Sequence, residues 1–222
     1  MARIPLNLRL KLVQYRNIAA AQDMIIEVLY SIFDTAVLHG GTGIWRCYHG
    51  ARFSEDIDVY LPHNLKKLDM LFNMLERRGF VIVKKKISDT SLFSTLQLGK
   101  TEVRLESLFK SVKGTPGDYE KTDGTFFALF TLTAEEFIRE KIDAYQRRRK
   151  VRDLYDIFFL LRYVEDKRAV REPLRLFMRN FKEPYDEKEL RELVIEGIVP
   201  SASDMLSYIR RGIKNGNNKI SQ

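Results

Sequence analysis

The stretch His39-Gly40-Gly41-Thr42, followed by Phe53-Ser54-Glu55-Asp56-Ile57-Asp58-Val59-Tyr60, decides how this chain is read. Thr35 to Leu38 is short and β-prone, and the run from His39 to Gly43 breaks it sharply. Ile44 to Tyr48 begins the helix that follows. Asp56 to Leu61 makes a second strand, which Pro62 ends. Successive side chains on a strand face opposite ways, so Asp56 and Asp58 share one face while Ile57 and Val59 turn to a core. Two carboxylates this close repel unless a cation lies between them. Carboxylate oxygens are the hard ligands Mg²⁺ prefers, and Mg²⁺ usually takes one or two of them plus substrate phosphates. A strand carrying Asp-x-Asp therefore points to metal-assisted phosphoryl or nucleotidyl transfer. The glycine turn supplies the complementary half. Glycines let the backbone approach closely, a helix start offers free N–H groups to phosphate, and Thr42 adds a hydroxyl. Each motif alone has a plain structural reading, as a turn or a solvated strand face. Their order, with a helix between them, is what carries the argument.

Working outward, residues 9 to 33 repeat apolar side chains at helical spacing. Leu65 to Arg78 is an amphipathic helix stopped by Gly79, and three strand-like runs follow: Phe80–Ile87, Ser91–Leu98 and Thr101–Phe109. In the last of these Glu102, Arg104 and Glu106 face one way and Val103 and Leu105 the other, so Glu102 and Glu106 both offer a third carboxylate. Lys113 to Gly124 is rich in turn formers and reads as a loop, with Phe126–Leu132 a further strand. From Ala134 onward the pattern is helical: Ala134–Arg149, Asp153–Val164, then shorter helices at Arg171–Asn180, Glu187–Gly197 and Ser203–Lys214, with a polar, frayed tail.

Three features of the helical block bear on chemistry. Lys141 falls within the apolar stripe of Phe137, Ile138, Ile142 and Tyr145, so it either snorkels to solvent or is held toward an anion. Asp153 opens the next helix, where a capping role suffices to explain it. Arg147, Arg148, Arg149, Lys150 and Arg152 form the densest basic run, with Lys84-Lys85-Lys86 a second one. Such runs are ordinarily solvated, but they also suit a phosphate backbone.

Composition narrows the class. The 222 residues are 45% hydrophobic and 31% charged, enough to fold around a sizeable core. The single cysteine, Cys47, allows no intrachain disulfide, and the N-terminus reads as no secretory signal; both fit a reducing, cytoplasmic setting. No apolar run approaches the roughly 20 residues of a membrane span. The net charge of +8, from 38 Lys plus Arg against 30 Asp plus Glu, favours polyanionic partners. The three histidines are scattered, and no Cys/His metal spacing or serine nucleophile elbow is present.

His39-Gly-Gly-Thr-Gly-Ile-Trp-Arg followed by Arg52-Phe-Ser-Glu-Asp-Ile-Asp resembles the AbiEii/AbiGii toxin family of nucleotidyltransferases, within the DNA polymerase β-like superfamily. Arg139-Glu-Lys141-Ile-Asp-Ala and Arg148-Arg-Lys-Val-Arg152-Asp153-Leu-Tyr-Asp156-Ile resemble that family's downstream lysine and aspartate motifs. The resemblance implies an α+β fold: a nucleotidyltransferase-type mixed sheet core with flanking helices over residues 1–132, then a helical region over 133–222 that completes the active-site cleft. It implies an enzyme that moves an NMP from an NTP, with Mg²⁺ or Mn²⁺, to an acceptor such as a tRNA 3′ end, as the toxin of a toxin–antitoxin or phage-defence system with a cognate antitoxin. Carried over residue by residue, Gly40, Gly41 and Thr42 hold the nucleotide, and Asp56 and Asp58 bind metal with Glu106 as the third carboxylate. Lys141 contacts the triphosphate, Asp153 is an active-site carboxylate, and Arg147, Arg148, Arg149, Lys150 and Arg152 are nucleic-acid contacts. Two other expectations stand beside this one: a transferase acting on a small molecule, and a non-catalytic binding module on the same fold.

Overall fold

The computed structural model describes residues 4–214, divided into two compact units between Leu132 and Thr133. The tail read as frayed lies outside the described residues.

The first unit begins with two helices, α1 (Leu6–Arg9) and α2 (Val13–Ile32), where periodicity predicts one. The chain turns between them because Leu6 and Leu10 both bury, and the Arg16 guanidinium takes the Leu10 carbonyl at 2.6 Å. Then come β1 (Val37–His39), α3 (Gly40–Cys47), β2 (Ile57–Leu61), α4 (Leu65–Arg77), β3 (Val81–Ile87), β4 (Ser91–Leu98), β5 (Thr101–Phe109), β6 (Thr115–Glu120) and β7 (Phe126–Thr131). They form one mixed sheet in the order β3-β4-β5-β2-β1-β7-β6. β1 pairs parallel with β7 and β2 parallel with β5; the other pairs are antiparallel. Ile57, Val59 and Leu61 of β2, Val103 and Leu105 of β5, and Leu68, Leu71, Phe72 and Leu75 of α4 are buried, with α2 packed against α4 and β5.

Two sequence expectations fail here. The segment read as a loop holds β6, an edge strand of the sheet. An edge tolerates Pro116, and Gly117 is required because a Cβ there would lie 2.8 Å from Thr131 Cγ2. The helix expected from Ile44 starts instead at Gly40, so the glycines are its first turn. The run Lys84-Lys85-Lys86 lies on β3, the other edge. Lys84 sits over the Phe93 ring and Lys85 over the Phe72 ring, an arrangement that also discourages edge-to-edge pairing. Asp23 anchors the far end of the unit: it accepts from Arg46, Tyr119 and Thr122, tying α2, α3 and β6 together.

The second unit is helical among its described residues: α5 (Ala134–Arg148), α6 (Val151–Leu160), α7 (Lys167–Arg179), a 3₁₀ turn at Glu187–Glu189, α8 (Leu190–Leu193) and α9 (Ala202–Lys214). Thr133 and Glu136 close a capping box at the start of α5. α7 begins four residues before the predicted Arg171 and runs through Pro173. A proline at 173 cannot bond the Ala169 carbonyl, and the Arg139 guanidinium donates to that carbonyl at 2.8 Å instead. Phe137, Ile138 and Ile142 of α5, Leu154, Ile157 and Leu160 of α6, Val170, Leu174 and Phe177 of α7, and Met205 and Ile209 of α9 are buried within the unit.

Candidate active site

The carboxylates are positioned by strand register. In the parallel β2–β5 pair, Ile57 lies opposite Leu105 and Asp58 opposite Glu106. Residues in register share a face, so Asp58 and Glu106 project together, away from the buried Ile57, Val59 and Leu105. Glu102 pairs with Gln97 on β4 and falls outside the β2 register, so Glu106 is the carboxylate placed beside Asp58. Asp56 precedes β2 by one residue. Its two oxygens accept Nε and Nη2 of Arg104 at 2.7 and 2.5 Å, an arginine on the same face of β5 as Glu106.

Partial burial and the charges of Asp58 and Asp56 raise the Glu106 carboxyl above its ordinary range, while Arg104 pulls it down. A carboxyl raised in the folded state binds its proton more tightly folded than unfolded. Glu106 therefore lowers stability as pH rises from its ordinary value of 4.5 through its folded value, and has no such effect below 4.5. Glu106→Gln is expected to melt at a higher temperature than the parent protein at neutral pH and to converge with it in acid. A variant less stable than the parent at neutral pH would contradict this electrostatic account.

The glycine turn presses directly on this face. Gly40, at φ +67°, is held where a Cβ would lie 2.1 Å from Asp58 Oδ2. A Cβ on Gly41 would lie 2.5 Å from Ser54 Oγ and 2.9 Å from Arg52 Nη2. Only glycine fits either position. The first N–H groups of α3, which have no partner inside their own helix, thus start beside the carboxylates. Thr42 is buried and donates its hydroxyl to the Asp56 carbonyl. Its oxygen is therefore directed at the protein backbone. Gln22, fully buried on α2, donates to the Ser54 and Glu55 carbonyls at 2.9 and 3.0 Å. Thr42 and Gln22 together fix the backbone that leads into Asp56. Sequence reasoning missed Gln22, Arg52 and the pairing of Arg104. The available signal for Gln22 was a lone amide among Ile18, Ala19, Ile25 and Ile26 on the apolar face of its helix.

Lys141 and Asp153 belong to the second unit and meet there. Lys141 is 6% exposed, and its ammonium lies 2.8 Å from Asp156 and 3.7 Å from Asp153. Arg148 grips both oxygens of the fully buried Asp153 at 2.8 Å. Two cations and two carboxylates are thus balanced between α5 and α6. The capping role read for Asp153 is corrected: the N-cap of α6 is Lys150, Asp153 lies in the first turn, and Asp186 accepts the Val151 N–H at 2.7 Å. The basic run is largely engaged inside its own unit. Besides Arg148, Arg149 adopts φ 49° and places its guanidinium on the Tyr185 ring and the Glu183 carbonyl, and Lys150 lies 3.3 Å from Asp186. Arg147 is exposed, and Arg152 buries an Nε with no hydrogen-bond partner among the described residues. A cavity of about 390 Å³ in this unit is walled by Leu161, Val170, Leu174 and Tyr208, and no predicted site residue lines it.

The mixed sheet with its flanking helices is a nucleotidyltransferase toxin fold. It superposes on MenT4, a nucleotidyltransferase toxin from Mycobacterium tuberculosis H37Rv, with a TM-score of 0.65 at 16% identity, covering 94% of this chain and 85% of that one. It superposes on JHP933 from Helicobacter pylori with a TM-score of 0.62 at 17% identity, covering 92% and 94%. Residues 27–211 match the family model of the nucleotidyl transferase AbiEii toxin, a type IV toxin–antitoxin system, and the chain belongs to that family of nucleotidyltransferases. No functionally curated protein shows significant similarity to it. Among the described residues, no helix is long and apolar enough to cross a membrane.

Proposed function

We propose that this enzyme transfers an NMP from an NTP to the 3′ end of an RNA, tRNA foremost, with Mg²⁺ or Mn²⁺ held at Asp56, Asp58 and Glu106. The observation that carries the reading is the register of Asp58 with Glu106 under a glycine-led helix start. Among the described residues no three carboxylate, histidine or cysteine side chains converge on one point. The donor set nonetheless fits a hard divalent cation, which needs only one or two protein carboxylates and finds its remaining oxygens on the substrate. When bound, the cation supplies charge stabilisation to the triphosphate oxygens.

The chain's own residues do the rest. The N–H groups that open α3 at Gly40 and Gly41 receive the phosphates. Gln22 and Thr42 hold the strand entry, and with it Asp56, in place. Glu106, in register with Asp58, is placed to accept the proton of the attacking ribose hydroxyl. That hydroxyl oxygen bonds to the α-phosphorus, and the bond from the α-phosphorus to the bridging oxygen breaks as pyrophosphate leaves. The resemblance also assigns Lys141 and Asp153 to the reaction. Their neutral, buried network supports a role in holding α5 to α6 as well.

A net charge of +8 supports a polyanionic acceptor. Exposed Arg147 is the residue of the basic run best placed to contribute a phosphate contact. Family membership in a toxin–antitoxin system carries a cognate antitoxin with it, and a single cysteine suits a reducing cytoplasm. Incubation with tRNA and each NTP radiolabelled at the α-phosphate tests the acceptor. Label is expected on intact tRNA and not on tRNA whose 3′ diol has been oxidised by periodate. Equal labelling of both would exclude the 3′ end. Label found only on small molecules would establish the small-molecule transferase instead.

A further inference from the structure

Asp56 is read as a metal ligand, yet both of its carboxylate oxygens already accept from Arg104. The contact is bidentate, the strongest form an arginine and a carboxylate make. It is also reversible. The Arg104 side chain is 49% exposed and Asp56 23%, so water and incoming ions reach both partners. Arg104 sits on β5 two residues before Glu106, on the face that carries the carboxylates.

We infer that Arg104 is a positioning residue that takes the cation's place on Asp56 in the empty enzyme and moves to the triphosphate when cation and nucleotide arrive. The inference rests on the function proposed above. Without Arg104, Asp56, Asp58 and Glu106 would repel one another across the β2–β5 pair. With it, a divalent cation alone must displace a guanidinium from both Asp56 oxygens, so cation binding without nucleotide is weak. The phosphates of an NTP offer the guanidinium an equally good bidentate partner on the same face of the sheet. Nucleotide therefore releases Asp56 to the cation, and the two ligands bind cooperatively through one side chain.

The test is Mn²⁺ affinity by electron paramagnetic resonance, with and without a non-hydrolysable NTP analogue, in the parent protein, Arg104→Met and Arg104→Lys. The parent is expected to bind Mn²⁺ weakly alone and more tightly with the analogue. Arg104→Met should bind Mn²⁺ alone about tenfold more tightly, as loss of one nearby cation predicts, and should lose most of the gain from nucleotide. Its KM for NTP should rise more than its kcat falls. Arg104→Lys, which keeps the charge without the fork, should fall between the two. If Arg104 only orients Asp56, Arg104→Met binds Mn²⁺ no better or worse than the parent, and the inference is overturned while the proposed function stands. A parent protein that binds no Mn²⁺ even with the analogue would overturn both.

Discussion

Asp58→Asn is expected to reduce nucleotidyl transfer by on the order of 10³-fold or more and to leave the fold intact. Asp58 is the central carboxylate of the site: on β2, opposite His39 on one side and Glu106 on the other, with the Gly40 backbone above its Oδ2. Asparagine keeps the shape that the packing against Gly40 demands and removes only the charge. Loss of a single preorganised electrostatic group at a transfer site costs roughly 10²–10³-fold, and the same carboxylate is also proposed above to hold the cation, which would add to the loss. Stability should not fall, because the substitution removes one of the charges that raise the Glu106 carboxyl. The measurement is kcat/KM with the melting temperature beside it. Transfer within tenfold of the parent would remove Asp58 from the reaction, and a collapsed melting temperature would show that its role is packing.

Lys141→Met should produce the largest stability loss in the helical unit. The substitution takes the ammonium away from buried Asp156, 2.8 Å distant, and from buried Asp153, 3.7 Å distant, while Arg148 stays on Asp153. Breaking a buried pair from one side costs about 3–5 kcal/mol, because the other charge stays buried and uncompensated. Removing both members should be milder. Lys141→Met combined with Asp156→Leu is expected to recover most of the loss, since an apolar pair of similar volume suits the stripe of Phe137, Ile138 and Ile142. Urea denaturation of the parent, Lys141→Met and the double variant decides this. A single variant as stable as the parent would mean that Lys141 is held there for reasons other than the balance of charge.

The parts legible in the sequence are those set by short-range rules. The Asp-x-Asp strand, its buried Ile57 and Val59, and the glycine turn before it follow from side-chain alternation and backbone sterics. Helix α4, with its apolar face and Gly79 stop, follows from periodicity. Side-chain alternation alone leaves Glu102 and Glu106 equivalent; the family resemblance chooses Glu106, and the β2–β5 register, a long-range property of the sheet, sets it beside Asp58. β6 was hidden because proline and glycine mark loops everywhere except at an edge, and its edge position is set by pairing with β7. The first turn of α3 was hidden for a related reason: Gly40 and Gly41 break helices in general, but contact with Asp58 and Ser54 requires them here. Periodicity starts the helix at Arg171 where α7 starts at Lys167, and the tertiary contact from Arg139 shows how the helix passes through Pro173. Gln22 and Arg104 act through partners 32 and 48 residues away, a distance over which no spacing rule operates. The basic run at Arg147–Arg152 reads as a free charged surface, whereas Arg148, Arg149 and Lys150 are committed to partners as far as residue 189.

The most direct test of the central claim is capture of radiolabel by total cellular RNA from NTPs labelled at the α-phosphate. The parent protein and Asp58→Asn should be compared side by side, each with Mg²⁺ and with a chelator. The account predicts label only for the parent with Mg²⁺, accompanied by an equivalent release of pyrophosphate. Equal labelling by Asp58→Asn, or labelling that survives the chelator, would contradict it.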